Sequence, residues 1–346
     1  MRNLNRYWCI PVSIAGLVIA SCRADNMKEK FSWTGTVSAP QEYPVEVYEG
    51  AIIASDFTYS FDAVWGTQNT GWGNDGGIMS TAREQMEAPD SLRFTWLSLV
   101  EQKFYTGAWR LDKDRIARLI REGFTDDVTH KKETYGLVKI GLAPGGKVIV
   151  WLSGAGFQTE VGAFEARDTI ITPAMAYDNA RYMFNEGYAD RTLHNDMIMK
   201  PEIRARIDRE GYPDPGIYEQ YRLKYDWAPR FLLPGGAKPV VLYYRFLNGE
   251  EENRFGTDLA HNVYTKRACP QRISLVWQDG SGKKHGLAVQ PFEEQEIMAA
   301  FRRLGNAAPI DLVIQLSPDQ KSASLSLNNA NSKILLSKGK IEVNEL

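Results

Sequence analysis

The sequence predicts an α+β protein dominated by antiparallel β-sheet. It is expected to comprise two similar ββαββ halves with a helical and loop insertion between them. Three observations lead there. Runs of β-branched and aromatic residues of strand length recur along the chain, punctuated by Pro/Gly turns. The order strand, strand, short helix, hairpin is present at 93–151 and again at 272–327. Between these series, Ala174–Lys224 is rich in Arg, Asp, Met and Tyr, and its character is helical rather than extended.

Each element has a local reason. In SAPQEYPVEVYEG (38–50), Val45 and Val47 alternate with Glu46 and Tyr48, the mark of a half-buried strand, and the apolar, aromatic stretch 51–65 reads as another. TQNTGWGNDGG (67–77) is a glycine-rich loop carrying Trp72. RFTWLSLVEQKFYTGAWRL (93–111) reads as two strands with a polar break near Glu101–Lys103. Asp112 is placed as the N-cap of a short helix, with Ile116, Leu119 and Ile120 on one face and Gly123 closing it. YGLVKIGLAPGGKVIVWLSG (135–154) is the most hydrophobic stretch after the leader. It reads as a hairpin turning at Pro144-Gly145-Gly146, and a strand at 159–167 follows.

The first half is thus set at 31–173 and the insertion at 174–230, with helical stretches near 174–184 and 201–209. Pro213 and Pro215 forbid a continuous helix through EGYPDPGIYEQYRLKY. In the second half, 231–346, strands are expected at 239–247, 272–277 and 285–290. A helix with Ile297, Ala300, Phe301 and Leu304 on one face ends at Gly305, and strands 310–316 and 323–327 flank a Ser-Pro-Asp turn. Asn248-Gly249 is a hairpin signal, and Glu250-Glu251-Glu252 reads as an acidic tip beyond it.

The leader sets the compartment. Arg2 and Arg6 precede an apolar run, Tyr7–Ile19, shorter than the roughly 20 residues that span a bilayer. Ile19-Ala20-Ser21-Cys22 resembles a bacterial lipobox, so residues 1–21 are expected to be a signal peptide and Cys22 the lipidated N-terminus. Arg23 follows where an inner-membrane lipoprotein usually carries Asp, so the protein is expected on the periplasmic face of the outer membrane. Residues 22–30 form the tether. At about 3.3–3.6 Å per extended residue it holds the folded body within about 30 Å of the lipid.

Charge and cysteine narrow the function. Loss of the two leader arginines makes the net charge of −2 more negative still, which disfavours nucleic acid and anionic lipid as partners. Cys269 is the one thiol beyond Cys22, so no disulfide framework is expected. With four scattered histidines, no metal site is expected either.

Several motifs stop short of chemistry. GLAPGGK (141–147) begins like a P-loop, but Val148 stands where Ser or Thr must hold Mg²⁺, and a strand follows instead of a helix. GWGNDG (71–76) fits G-x-G-x-x-G without the strand and helix that make it a dinucleotide site. No cofactor is expected. Ser153 lacks a nucleophile elbow, and nothing orders it with His130, His194, His261 or His285. Asp126-Asp127 reads as a solvated loop and Glu293-Glu294 as favourable charge at a helix N-terminus. No catalytic residues are assigned. The loop residues Trp72, Tyr212, Tyr218 and Tyr221, with Glu250, Glu251 and Glu252, are the candidates for binding a partner.

The pieces YPVEVYEG (43–50), GWG (71–73), TWLSLVEQKFYTG (95–107), GLAPGGKVIVWLSG (141–154) and, more loosely, NGEE (248–251) resemble the DUF2931 family of bacterial lipoproteins. That family carries no catalytic residues to transfer. The resemblance implies an envelope lipoprotein; members often lie beside type VI secretion genes, and some look like immunity lipoproteins against phospholipase effectors. The expectation is a non-enzymatic protein, anchored through Cys22, that binds and neutralises a secreted lipase. The alternatives are an envelope glycan-binding or structural lipoprotein, with Trp72 and the Tyr212–Tyr221 loop stacking on sugar, and a hydrolase using Ser153 or a histidine.

Overall fold

The computed structural model describes residues 29–81, 83–259 and 263–346. The expected signal peptide, Cys22 and His261 lie outside these residues. No helix among the described residues is long and apolar enough to cross a membrane.

The first repeat runs β1 (Thr34–Ser38), β2 (Val45–Ala54), β3 (Phe57–Asp62), β4 (Ser91–Ser98), β5 (Lys103–Arg110), α1 (Lys113–Glu122), β6 (Leu137–Ala143), β7 (Lys147–Gly154), β8 (Phe157–Glu165) and β9 (Arg167–Thr169). After the insertion, the second runs β10 (Tyr225–Leu232), β11 (Lys238–Phe246), β12 (Glu251–Phe255), β13 (Pro270–Gln278) and β14 (Lys284–Val289). It continues with α5 (Glu294–Leu304), β15 (Ile310–Leu316), β16 (Ala323–Asn328), β17 (Lys333–Leu336) and β18 (Ile341–Glu345). The insertion holds α2 (Tyr188–Leu193), α3 (Pro201–Glu210) and α4 (Ile217–Tyr221).

The two repeats are wired alike. The order β9-β5-β4-β2-β3 in the first recurs as β18-β14-β13-β11-β12 in the second. Likewise β1-β6-β7-β8 recurs as β10-β15-β16-β17. Even the exception recurs: β1 lies parallel to β6 and β10 parallel to β15, while the other pairs along these orders are antiparallel. The repeating unit is therefore nine strands and a helix, larger than the ββαββ read from the sequence. Two departures explain the smaller reading. The stretch 45–65 is a hairpin, not two separate strands: β2 runs on to Ala54 and turns at once into β3. And β1 and β9 are too short and polar to carry a pattern of their own.

Each repeat packs two sheets around its own core. In the first, Trp33, Ile52, Phe94 and Trp96 meet Val138, Ile140, Val148 and Val150, and α1 adds Ile116 and Ile120. Asp112 caps that helix by accepting from the Arg115 N–H, and Gly123 ends it at φ 57°. In the second, Trp227 and Trp277 meet Leu275, Leu312, Ile314 and the α5 face Ile297, Ala300, Phe301 and Leu304. Burying one such side chain contributes about 1.5–3 kcal/mol, so the two cores can each hold a sandwich without cross-links.

The repeats join edge to edge through unlike sheets. The four-stranded sheet of the first meets the five-stranded sheet of the second, giving one nine-stranded sheet, β1-β6-β7-β8-β12-β11-β13-β14-β18. The joint itself is a single backbone pairing, Gln158 opposite Glu251. Side chains do the rest: the buried Trp151 indole donates to the Asn248 carbonyl at 3.1 Å, and Tyr243 reaches the Asp127 carboxylate. The insertion lies on the outer face of the first repeat's β9-β5-β4-β2-β3 sheet, where Ala180 and Met183 pack against Tyr48, Leu97 and Leu99. Its first helical stretch is 3₁₀, at Pro173–Met175 and Asp178–Phe184.

Candidate functional site

The glycine-rich loop is pinned on both sides of Trp72. The Ser38 hydroxyl donates to the Gly71 carbonyl at 2.9 Å, and Thr36 donates to Gly77 at 2.8 Å while accepting the Gly76 N–H at 3.1 Å. Beneath it, Lys139 on β6 has a side chain only 4 % exposed. It donates to the Gly73 carbonyl and to Asp75, both at 2.7 Å, and to the Gln158 amide oxygen. Gln158 in turn donates to Gly73 at 3.0 Å and to the Gly249 carbonyl. Burial pushes the Lys139 ammonium below its ordinary value, against the opposing pull of Asp75. Its role is to lock the Trp72 loop of one repeat to the Asn248-Gly249 turn of the other.

Trp72 then stands edge-on to Trp151 and to Tyr218, each 5.0 Å away between ring centres, and Tyr218 meets Tyr221 at 5.6 Å. Trp72, Tyr218 and Tyr221 line a cavity of about 520 Å³ where both repeats and the insertion meet. Arg206, Arg245 and Arg272, with Glu42 and Glu294, make up its charged lining. Arg206 pairs with Glu42, and the Tyr221 hydroxyl donates to Glu294 at 2.5 Å. Burial raises the Tyr218 and Tyr221 phenols far above their ordinary range, the Glu294 carboxylate adding to the effect, and burial raises Glu294 as well. The arrangement offers ring faces, guanidinium donors and carboxyl groups on a rigid frame: it is chemistry suited to recognition.

The sequence candidates fare unequally. Trp72, Tyr218 and Tyr221 come together here. The two tyrosines are not loop residues, however: both lie on α4, and Tyr218 is buried because it packs under Trp72. Tyr212 stays apart, half-exposed and packed on Tyr43 at 5.4 Å. The acidic tip is a correction. Glu251 and Glu252 begin β12, and all three carboxylates are partly buried and paired. Glu250 meets Lys224 at 2.7 Å, Glu251 meets Arg245 at 3.3 Å, and Glu252 meets Arg267 at 2.8 Å. Their charge is spent inside the fold because β12 is the strand at which the repeats join.

The remaining motifs have structural roles. The P-loop-like turn spans 3₁₀ residues Pro144–Gly146, with Gly145 and Gly146 at φ 70° and 72°. It does bind an anion through its backbone, but the anion is the chain's own Glu101, which accepts the Gly145 N–H at 3.1 Å. Ser153 lines a second, smaller cavity of about 400 Å³ beside Lys139. The described histidines lie apart: His130 against Phe255, His194 on the Asp190 carbonyl, and His285 paired with Asp279 at 2.9 Å. Among the described residues no group of three or more His, Cys, Asp or Glu is placed to hold a metal. Cys269 is buried, and burial pushes its thiol up to about 12.

The sequence profile of DUF2931, described as a protein of unknown function, matches residues 21–214. The chain belongs to the DUF2931 family. The match takes in the whole first repeat and most of the insertion, including Trp72 and the lock at Lys139 and Gln158, and ends before α4. No curated protein and no solved structure matches this DUF2931 chain. Three residues that line the cavity with Trp72, namely Arg245, Arg272 and Glu294, thus come from the portion beyond the family match. Sequence reasoning missed them because only strand pairing brings β11 and β13 side by side. The glycine spacing of 71–77 was the one signal pointing to a close-packed loop.

Proposed function

We propose that this DUF2931 member is a non-enzymatic, lipid-anchored binding protein of the outer membrane's periplasmic face, and that it neutralises an incoming secreted lipase by binding it. One observation carries the binding reading. Trp72 from the first repeat and Tyr218 and Tyr221 from the insertion converge on one cavity, on a frame locked by Lys139 and Gln158. Preorganised aromatic walls of this kind are what a partner's protruding anchor requires, since little ordering entropy is lost on docking. The lipobox at Cys22 and the short tether support an action close to the lipid that a lipase attacks. Deletion of the gene is expected to sensitise cells to a lipase encoded beside it, and a soluble form, residues 23–346, is expected to capture that lipase. A deletion strain that stays fully resistant would falsify the immunity reading.

A second reading rests on the cavity's polarity. Aromatic faces beside guanidinium, carboxyl and amide groups also suit a sugar, so an envelope glycan is the alternative ligand. Retention on peptidoglycan or lipopolysaccharide that disappears in Trp72→Ala, with no lipase captured, would favour it.

A further inference from the structure

The two arginines that line the cavity beside Trp72 carry an electrostatic imbalance. Arg245 on β11 and Arg272 on β13 sit directly opposite each other in the strand register. Like charges in that position repel and destabilise a sheet. Arg245 has offsetting contacts: Glu251 at 3.3 Å, the Trp72 carbonyl at 3.3 Å and the Asn74 side chain. Among the described residues its Nε–H has no acceptor, and neither has the Trp72 indole N–H, although both are cut off from solvent. Arg272 is exposed at the cavity rim and makes no hydrogen bond or ion pair among the described residues. The carboxylates in the lining do not answer it. Glu42 is taken by Arg206, and Glu294 accepts from the Tyr221 hydroxyl. The Arg245 guanidinium, short of one acceptor, and the unpaired Arg272 guanidinium beside it therefore leave this part of the lining electropositive.

We propose that the cavity binds an oxyanion, a carboxylate or phosphate group on a polar body, with Arg272 and Arg245 as its counter-charge. A guanidinium fork matches either group with two parallel hydrogen bonds. A bound oxyanion relieves the repulsion between the two arginines, and the rest of the ligand lies against Trp72 and Tyr218. The inference rests on the cavity being the binding site and adds the chemistry of what enters it.

The test is calorimetric titration of the full-length protein in detergent with inorganic phosphate, with glucuronate and with glucose. At least one acidic probe is expected to bind with Kd about 1 mM or tighter, and glucose is not. Arg272→Gln is expected to weaken that binding tenfold or more, while Arg272→Lys retains part of it. Preference for phosphate assigns the natural ligand a phosphoryl group, and preference for glucuronate a carboxylate. Failure of both acidic probes, equal binding of glucose, or an Arg272→Gln titration like that of the parent overturns the proposal; an unchanged melting temperature of this surface variant excludes unfolding as the cause. Lipase capture is measured on the same variant. Capture without oxyanion binding sinks this inference alone, and oxyanion binding without any protection of cells sinks the immunity reading alone.

Discussion

Gly73 and Gly249 meet backbone against backbone: a β-carbon added to Gly73 would lie 2.7 Å from the Gly249 Cα. Both residues hold positive φ, 75° and 84°. The backbones of the two repeats lie too close here to admit a side chain, and the Lys139–Gln158 lock holds the same loop and turn together. Gly73→Ala is expected to cost the left-handed backbone term of about 1–2 kcal/mol and the clash in addition. Gly66→Ala is the control, with φ 63° and nothing within 4 Å of the added carbon. Thermal melting should show a clearly larger drop for Gly73→Ala; equal drops would mean that the contact is slack.

Lys139 should matter to binding as well as to stability. Lys139→Met keeps the stem but leaves the buried Gln158 amide oxygen without its lysine donor, while the Gly73 carbonyl keeps the Gln158 amide as a partner. Leaving the buried oxygen unmet costs about 1–3 kcal/mol. The expected result is a lower melting temperature and faster amide exchange across 71–77, with exchange in β13–β16 unchanged.

The insertion hangs on a buried carboxylate. Glu46 is 1 % exposed and accepts from the hydroxyls of Tyr188 at 2.6 Å, Tyr182 at 2.9 Å and Thr67. Tyr188→Phe should cost about 1–2 kcal/mol. Glu46→Ala should go further and open residues 173–193 to limited proteolysis while both repeats stay folded. Resistance to protease in the Glu46 variant would show that the apolar contacts of Ala180 and Met183 suffice.

Acid should act through Glu252. Burial alone would raise this carboxyl, but Arg267 and Arg254 outweigh burial and hold it below its ordinary value of 4.5. A folded-state value below the unfolded one contributes stability that is complete above about pH 4.5 and is lost as pH falls through the folded value. Glu252→Gln is therefore expected to be less stable at pH 7, by up to about 3 kcal/mol. The gap should close in acid. A gap that stays constant with pH would mean the loss is packing, not charge.

Trp72 and Tyr218 should be coupled. Aromatic pairs at such geometry contribute about 0.5–1.5 kcal/mol beyond area burial. A double-mutant cycle with Trp72→Ala and Tyr218→Ala, read by lipase capture, should return a coupling of that size, because each ring positions the other.

The elements legible in advance were those whose signals are local. The hairpin at 137–154 was readable because an apolar run, Pro144-Gly145-Gly146 and a second apolar run are contiguous, and α1 and α5 because an apolar face and a closing glycine follow one another directly, with the cap Asp112 in addition for α1. The site was only half legible. Trp72 stood out as an aromatic among glycines, but nothing in the run around Arg272 says that it will lie opposite Arg245. Register is set by a whole sheet and is invisible in either strand alone. The Glu250–Glu252 reading failed for the same reason: three acidic residues after a turn look solvated until Arg245, Arg267 and Lys224 arrive from elsewhere.

The edge-to-edge joint between unlike sheets has a consequence for how this chain can change. Had the two copies met through the same face, any substitution in that face would have appeared on both sides of the contact, and drift in one copy would have required matching drift in the other. Here each copy contributes a surface whose counterpart in its twin has no such duty. Gln158 on β8 has its equivalent position on β17, and Glu251 on β12 has its own on β3, neither of which meets the other repeat. The arginines of the second copy and the tryptophan loop of the first were thus free to diverge separately. A repeated scaffold thereby carries one asymmetric cavity, lined by both repeats and the insertion.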